Sequence, residues 1–245
     1  MVAPGTRNRA LTEHRAAFHT FATRGALAQA LAATVAGALS TAIALRGAAR
    51  LAVSGGNTPA LFLEQLSMAD LDWDKVIVTL VDERFVVQTS QRSNATMVRR
   101  TLLQNKAGDA RFVPLAGNGD GQLERVAEAA NQTIAKLGRL DVAVLGLGKD
   151  GHTASFFAGG DTLAEALDVG SDKCVVALRA PGADEPRLSL TLKLILQAGL
   201  LALHIEGEEK MQTLLLAQNQ GSELEMPIRA VLAGAGERLQ IFWAA

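Results

Sequence analysis

A chain of 245 residues, 49% of them hydrophobic, holds one large α/β domain or two small ones and can bury a sizeable core, which excludes global disorder. Its formal net charge of −1 excludes a general nucleic-acid binder, since that needs a dense basic face. Cys174 is the only cysteine, so neither an internal disulfide nor a zinc site of the CxxC type can form, and a reducing cytoplasm fits best.

The first element is a helix over Ala26 to Leu45, a stretch without charge about a membrane's width long. It is mostly alanine, and Leu27, Leu31, Val35, Leu39 and Ile43 recur every four residues. That spacing makes one apolar stripe on a core helix rather than a membrane span. The run is also too long, and starts too far in, for a signal peptide.

Ala49 to Gly56 reads as a short buried strand ending in a glycine turn, with Pro59 suited to the first turn of the following helix. Lys75 to Val86 is a second apolar run that breaks into charge at Asp82, and "SNATMVRRTLLQ" is a helix with a polar start. A helix follows between Gly121 and Gly138, then a third strand, "LDVAVLGLG". Asp172 to Ala180 is a fourth strand and Arg179 to Arg187 a surface loop. Gly199 to Gly207 is a fifth strand before the helix "EEKMQTLLLAQ", and "ERLQIFWA" is a sixth. Apolar runs alternating with amphipathic helices predict βαβ units: one α/β domain over 1–245 with a mostly parallel, Rossmann-like sheet flanked by helices. Ligands of such sheets bind at the carboxyl ends of the strands, and four strand ends here carry unusual polar residues.

"SGGNTP" offers two glycines, a helix start and the side chains of Asn57 and Thr58 to an anion; alternatively it is a strand-to-helix turn capped by Asn57 or Thr58. Asp82 and Arg84, two apart in extended chain, share a face, for a ligand or for a surface ion pair. Gly146, Gly148 and Gly151 spell the dinucleotide pattern G-x-G-x-x-G, but Asp150 in its middle would repel a diphosphate. The same loop suits a base: His152 takes a proton near neutral pH, and Asp150 holds its ring. No nucleophile is implied, so the attacking group is water. His204, inside an apolar strand, reads as a core histidine. Lys210 and Arg187 are each either a cationic anchor for an anion or a solvated surface charge.

"SGGNTP", "DERFV", "RSN" (Arg92 to Asn94), "GLGKDGHTAS", "PRLSLT" and "GEEK" stand in the order found in 6-phosphogluconolactonases, and the chain resembles that family from about Leu51 to Lys210. Asn57 stands where serine is usual, Val87 where proline is common, and Phe156 to Ala158 where "LFP" is common. The resemblance implies a fold of the glucosamine-6-phosphate isomerase/lactonase type and hydrolysis of 6-phospho-D-glucono-1,5-lactone in the pentose phosphate pathway. It implies His152, Asp150, Arg84 and Asp82 as catalytic residues. Ser54, Gly55, Gly56, Asn57, Thr58, Asn94, Gly148, Arg187 and Lys210 would bind substrate. It requires neither metal nor cofactor, no nucleic acid and no membrane, and a monomer or weak homo-oligomer. The alternatives are a sugar-phosphate-sensing module and an amino-sugar-phosphate deaminase. The deaminase carries a glutamate soon after its "DGH" histidine, whereas the next acid here is Asp161.

Overall fold

A computed structural model describes residues 16–87, 89–117 and 121–245. Residues 1–15, which the one-domain expectation includes, lie outside that description. The strands are β1 (Ala17–Phe21), β2 (Ala49–Val53), β3 (Val76–Leu80), β4 (Asp82–Arg84), β5 (Arg111–Val113), β6 (Val142–Leu145), β7 (Val175–Leu178), β8 (Arg187–Leu190), β9 (Leu200–Glu206) and β10 (Leu239–Ala244). The helices are α1 (Arg24–Arg46), α2 (Ala60–Ser67), α3 (Asn94–Thr101), α4 (Leu123–Leu137), α5 (Leu163–Leu167), α6 (Leu192–Leu196), α7 (Glu208–Ala217) and α8 (Ile228–Ala235).

Seven strands form one parallel sheet in the order β1-β10-β9-β6-β2-β3-β5. Its middle is made of near-continuous apolar runs: every residue of β6 is buried, as a strand covered on both faces requires. From β2 the chain builds outward through β3 and β5, then returns to the other side of β2 with β6. The order reverses between β2 and β6, and there the loops at the carboxyl ends part to leave a crevice.

Helix α1 begins at Thr23, whose hydroxyl accepts from the Ala26 N–H at 3.1 Å, and ends where Gly47 adopts φ 74° and donates to the Ile43 carbonyl at 2.7 Å. Among the described residues, one helix, α1, is long and apolar enough to cross a membrane. Its Leu27, Leu31, Val35 and Leu39 are fully buried, and it packs on α2, β2 and β10. The four-residue stripe faces the core, with Ile43 partly buried at its end.

Three features depart from the sequence expectations. Asp172 to Ala180 does yield a strand, but β7 lies outside the parallel sheet, in an antiparallel sheet ordered β4-β8-β7. The single apolar run from Lys75 is two strands: Val81 donates to Val53 of β2 at 2.9 Å and accepts from Leu190 of β8 at 2.8 Å, handing the chain from one sheet to the other. Arg187, expected at the end of a surface loop, starts β8 and is buried. Alternating apolarity marks a strand without saying which sheet receives it. β1 and β5 are short edge strands, β1 with two of its five residues partly buried, and their patterns carry little signal.

Candidate active site

A cleft of about 360 Å³ opens over the carboxyl ends of β2 and β6. Every residue expected at the site lines it except Asp150, which reaches it through His152: Ser54 to Thr58, Asp82, Arg84, Asn94, Gly148, His152, Arg187 and Lys210 all contribute.

The Gly146–His152 loop answers the dinucleotide alternative. The N–H groups of its three glycines are spent within the loop or on its neighbours. Gly148 N–H donates to the His152 carbonyl at 2.8 Å, Gly151 to the Gly148 carbonyl at 3.1 Å, and Gly146 to Ser54 Oγ at 3.1 Å. No helix starts here: the next one after β6 is α5, at Leu163. The helix N-terminus that would hold a diphosphate is therefore missing from this motif.

What the loop does hold is a hydrogen-bonded pair of carboxylate and imidazole. Asp150 Oδ1 lies 2.5 Å from His152 Nδ1 and accepts from the His152 backbone N–H at 3.2 Å. The hydrogen bond from His152 holds the Asp150 carboxyl below its ordinary range. The imidazole stacks on Phe157 with ring centroids 4.2 Å apart. With Nδ1 held by Asp150, the second ring nitrogen has no partner among the described residues and is the one available for proton transfer.

On the β2 side, Ser54 Oγ donates to the Val144 carbonyl at 3.0 Å while accepting from Gly146, so this hydroxyl ties the two strand ends together. The capping alternative for "SGGNTP" fails, because α2 is preceded by Pro59 and has no side-chain cap. Thr58 Oγ1 instead accepts from Lys210 Nζ at 3.0 Å. Burial pushes the Lys210 ammonium below its usual value, partly offset by Glu206.

On the β4 side the period-2 alternation of "DER" is realised. Asp82 and Arg84 line the cleft, while Glu83 between them points away. Asp82 accepts from Ser155 Oγ at 2.6 Å, and Arg84 donates to the Arg92 carbonyl at 2.6 Å, so the two do not form the surface ion pair that was the alternative. Arg84 pairs in register with Arg187 of β8. Arg187 is 7% exposed, lies over the Phe157 ring at 5.5 Å, and is pushed below its usual value by burial, partly offset by Asp82. It is a built-in cation and not a solvated charge.

Sequence reasoning missed Glu83. It is 2% exposed, and its carboxylate accepts from the backbone N–H groups of Arg84, Asn94 and Ala95 at 2.7–2.8 Å and from Ser93 Oγ at 3.0 Å. Three of these donors belong to the start of α3, so an acid ten residues away in sequence tethers that helix. Asn94 is thereby fixed with Nδ2 on the Asp82 carbonyl at 2.8 Å. No local motif announces this, because partner and cap are joined by a loop. His204 is buried as expected, yet it also lines the cleft floor, with Nε2 3.1 Å from Glu206 Oε1.

Four cleft-lining side chains keep one buried polar atom each without a partner among the described residues: Arg84 Nε, Asn94 Oδ1, Arg187 Nε and His204 Nδ1. Native interiors leave few such atoms, and their convergence on one cleft marks a place prepared for a polar ligand.

The family model for glucosamine-6-phosphate isomerases/6-phosphogluconolactonase matches residues 22–243. The chain belongs to this family. It is 50% identical to a 6-phosphogluconolactonase of Rhizobium meliloti over 226 residues, 92% of this chain and 97% of that one. It is 51% identical to one of Mesorhizobium japonicum, covering 93% and 94%. The crystal structure of a 6-phosphogluconolactonase from Shewanella baltica superposes with TM-score 0.90 at 38% identity, over 94% of this chain and 98% of that one. A monomeric glucosamine-6-phosphate deaminase shares the fold, with TM-score 0.74 at 20% identity. Within this family's fold, the acid next after His152 takes no place in the cleft. Asp161 accepts from the Arg179 backbone N–H at 2.8 Å and stands outside the lining.

Proposed function

We propose that the protein is a 6-phosphogluconolactonase, a hydrolase that opens the ester of 6-phospho-D-glucono-1,5-lactone to release 6-phosphogluconate, acting in the cytoplasm within the oxidative pentose phosphate pathway and folding as one domain over 1–245. The observation that carries this reading is the Asp150–His152 pair, set in a cleft whose other walls bear Arg84, Arg187 and Lys210. In this reading the substrate phosphate rests on the Ser54–Thr58 loop with Lys210 and Arg187. His152 takes a proton from water as it attacks the lactone carbonyl, and Asp150 stabilises the imidazolium that forms. Arg84 offsets the charge of the tetrahedral oxyanion, its buried Nε lacking a partner until substrate arrives. Asn94, fixed by Glu83 and Asp82, offers its Oδ1 to a sugar hydroxyl. A δ-lactone is already reactive, so one base plus orientation is chemistry enough.

The deaminase alternative wants an acid close to the histidine for ring opening, and Asp161 is committed to Arg179. A coupled assay with freshly generated 6-phosphogluconolactone, run beside glucosamine 6-phosphate, tests the reading. Acid release from the lactone and no ammonia from the amino sugar are expected. Ammonia at a comparable rate would overturn the function and leave the fold unchanged.

A further inference from the structure

We propose that the protein carries a second anion site, at the opposite end of the sheet from the cleft, built by Arg46, Arg50 and Arg139 and suited to a small phosphorylated molecule. A cavity of about 400 Å³ lies there, lined by these three arginines with Asp141, Thr41 and Gly199 among others. Arg50 is the second residue of β2 and Asp141 immediately precedes β6, so the cavity sits at the amino ends of the two strands whose other ends frame the cleft.

Charge is unbalanced in this cavity. Its one carboxylate, Asp141, is fully engaged: Oδ1 pairs with the Arg46 guanidinium, and Oδ2 accepts from the Arg50 backbone N–H at 2.7 Å. The Arg50 guanidinium makes no hydrogen bond or ion pair among the described residues, and its Nε is buried. Arg139 uses Nε on the Gln197 carbonyl at 2.7 Å and leaves its terminal nitrogens without a partner. Outside the cleft, only two buried side-chain polar atoms among the described residues lack a partner, and Arg50 Nε is one of them. A buried donor without an acceptor is costly to maintain, and a ligand oxygen relieves it.

Compensation of a helix C-terminus explains Arg46, which sits in the last turn of α1. It does not explain Arg50, which lies in a strand. Two guanidinium forks left over at one cavity match the geometry of phosphate oxygens, and the volume admits a phosphate ester or a diphosphate. The ligand class follows from the donors: multidentate, negatively charged and small.

Inorganic pyrophosphate is the probe. Titration calorimetry on Lys210→Ala, in which one of the two cationic anchors proposed for the cleft is removed, is expected to show binding that weakens with added salt. In the same background Arg139→Ala and, separately, Arg50→Gln should each weaken it about tenfold or more. Arg139 is exposed at its head, so its variant should fold and hydrolyse lactone as the parent does. No pyrophosphate binding to Lys210→Ala, or an unchanged Kd in the Arg139→Ala variant, overturns the inference. The activity proposed above is not needed: a chain without lactonase activity that still binds pyrophosphate through Arg139 loses one proposal and keeps this one.

Discussion

A side chain at Gly148 would collide with the Asp150–His152 pair: a Cβ built there lies 2.1 Å from His152 Nδ1 and 2.5 Å from Asp150 Oδ1. The glycine of the G-x-G-x-x-G pattern is thus explained by the imidazole it makes room for. Gly146, in the same pattern, would meet only Ser54 Cβ at 3.9 Å, an ordinary contact. Gly148→Ala should therefore lower kcat about 10²-fold by displacing His152, while Gly146→Ala should stay close to wild type. Steady-state kinetics of the two folded variants check this, and equal activity in both contradicts it.

His152→Ala should lower kcat by about 10²–10⁴ with little change in KM, because the general base proposed here acts only in the transition state. Spontaneous lactone hydrolysis must be subtracted. Asp150→Asn should lower kcat in the same direction, since the ring loses its partner on Nδ1. The folded Asp150 carboxyl lies below its ordinary value of 3.8, so its contribution to stability is present above that value and lost as pH falls through the lower folded one. Acid unfolding curves of Asp150→Asn should lack that component.

Lys210→Ala should raise KM for the phosphorylated lactone and barely affect glucono-lactone without phosphate, because in the proposed reading the ammonium, held at Thr58, meets the phosphate alone. Equal losses on both substrates would refute this. Burial puts the charge of Lys210 below the ordinary lysine value of 10.5, so affinity for 6-phosphogluconate should weaken as pH rises toward that value rather than at it. Calorimetric titrations at increasing pH read the midpoint.

Glu83→Ala removes the acceptors of four donors, three of them in buried hydrogen bonds, and should destabilise the protein by at least about 1–3 kcal/mol, measured by denaturant unfolding. Burial pushes the Glu83 carboxyl above its ordinary 4.5, against the four hydrogen bonds. A raised folded value means that the group's stability contribution is full below 4.5 and lost as pH rises through the folded value. Glu83→Gln cannot ionise, so its stability should vary less with pH above 4.5 than wild type does. An identical pH dependence in the two proteins would show that Glu83 does not titrate there.

Much of the fold was legible in the sequence because burial on both faces of a parallel sheet writes unbroken apolar runs. β2, β3, β6 and β9 stand out in this way, and α1 shows its stripe at Leu27, Leu31, Val35 and Leu39. The cleft-lining loops were legible for a related reason: glycines and charges directly after apolar strands have few other uses. Edge strands β1 and β5 were not, since a short, partly exposed strand needs no strong pattern.

By itself, then, the sequence determined the alternation of strands and helices, the strand ends that bear polar groups, and the neighbour pair Asp150 and His152, because each depends on residues adjacent in the chain. Only the tertiary structure decided what depends on distant residues meeting. It moved β4, β7 and β8 into their own antiparallel sheet, buried Arg187 beside Arg84, and spent Ser54 on joining β2 to β6. It also set Glu83 under α3 and left Arg50 Nε buried without a hydrogen-bond partner among the described residues at the far end of the sheet. Hydrogen bonds and desolvation act over a few ångströms in space, and separations of ten to about a hundred residues in the chain carry no trace of them in local pattern.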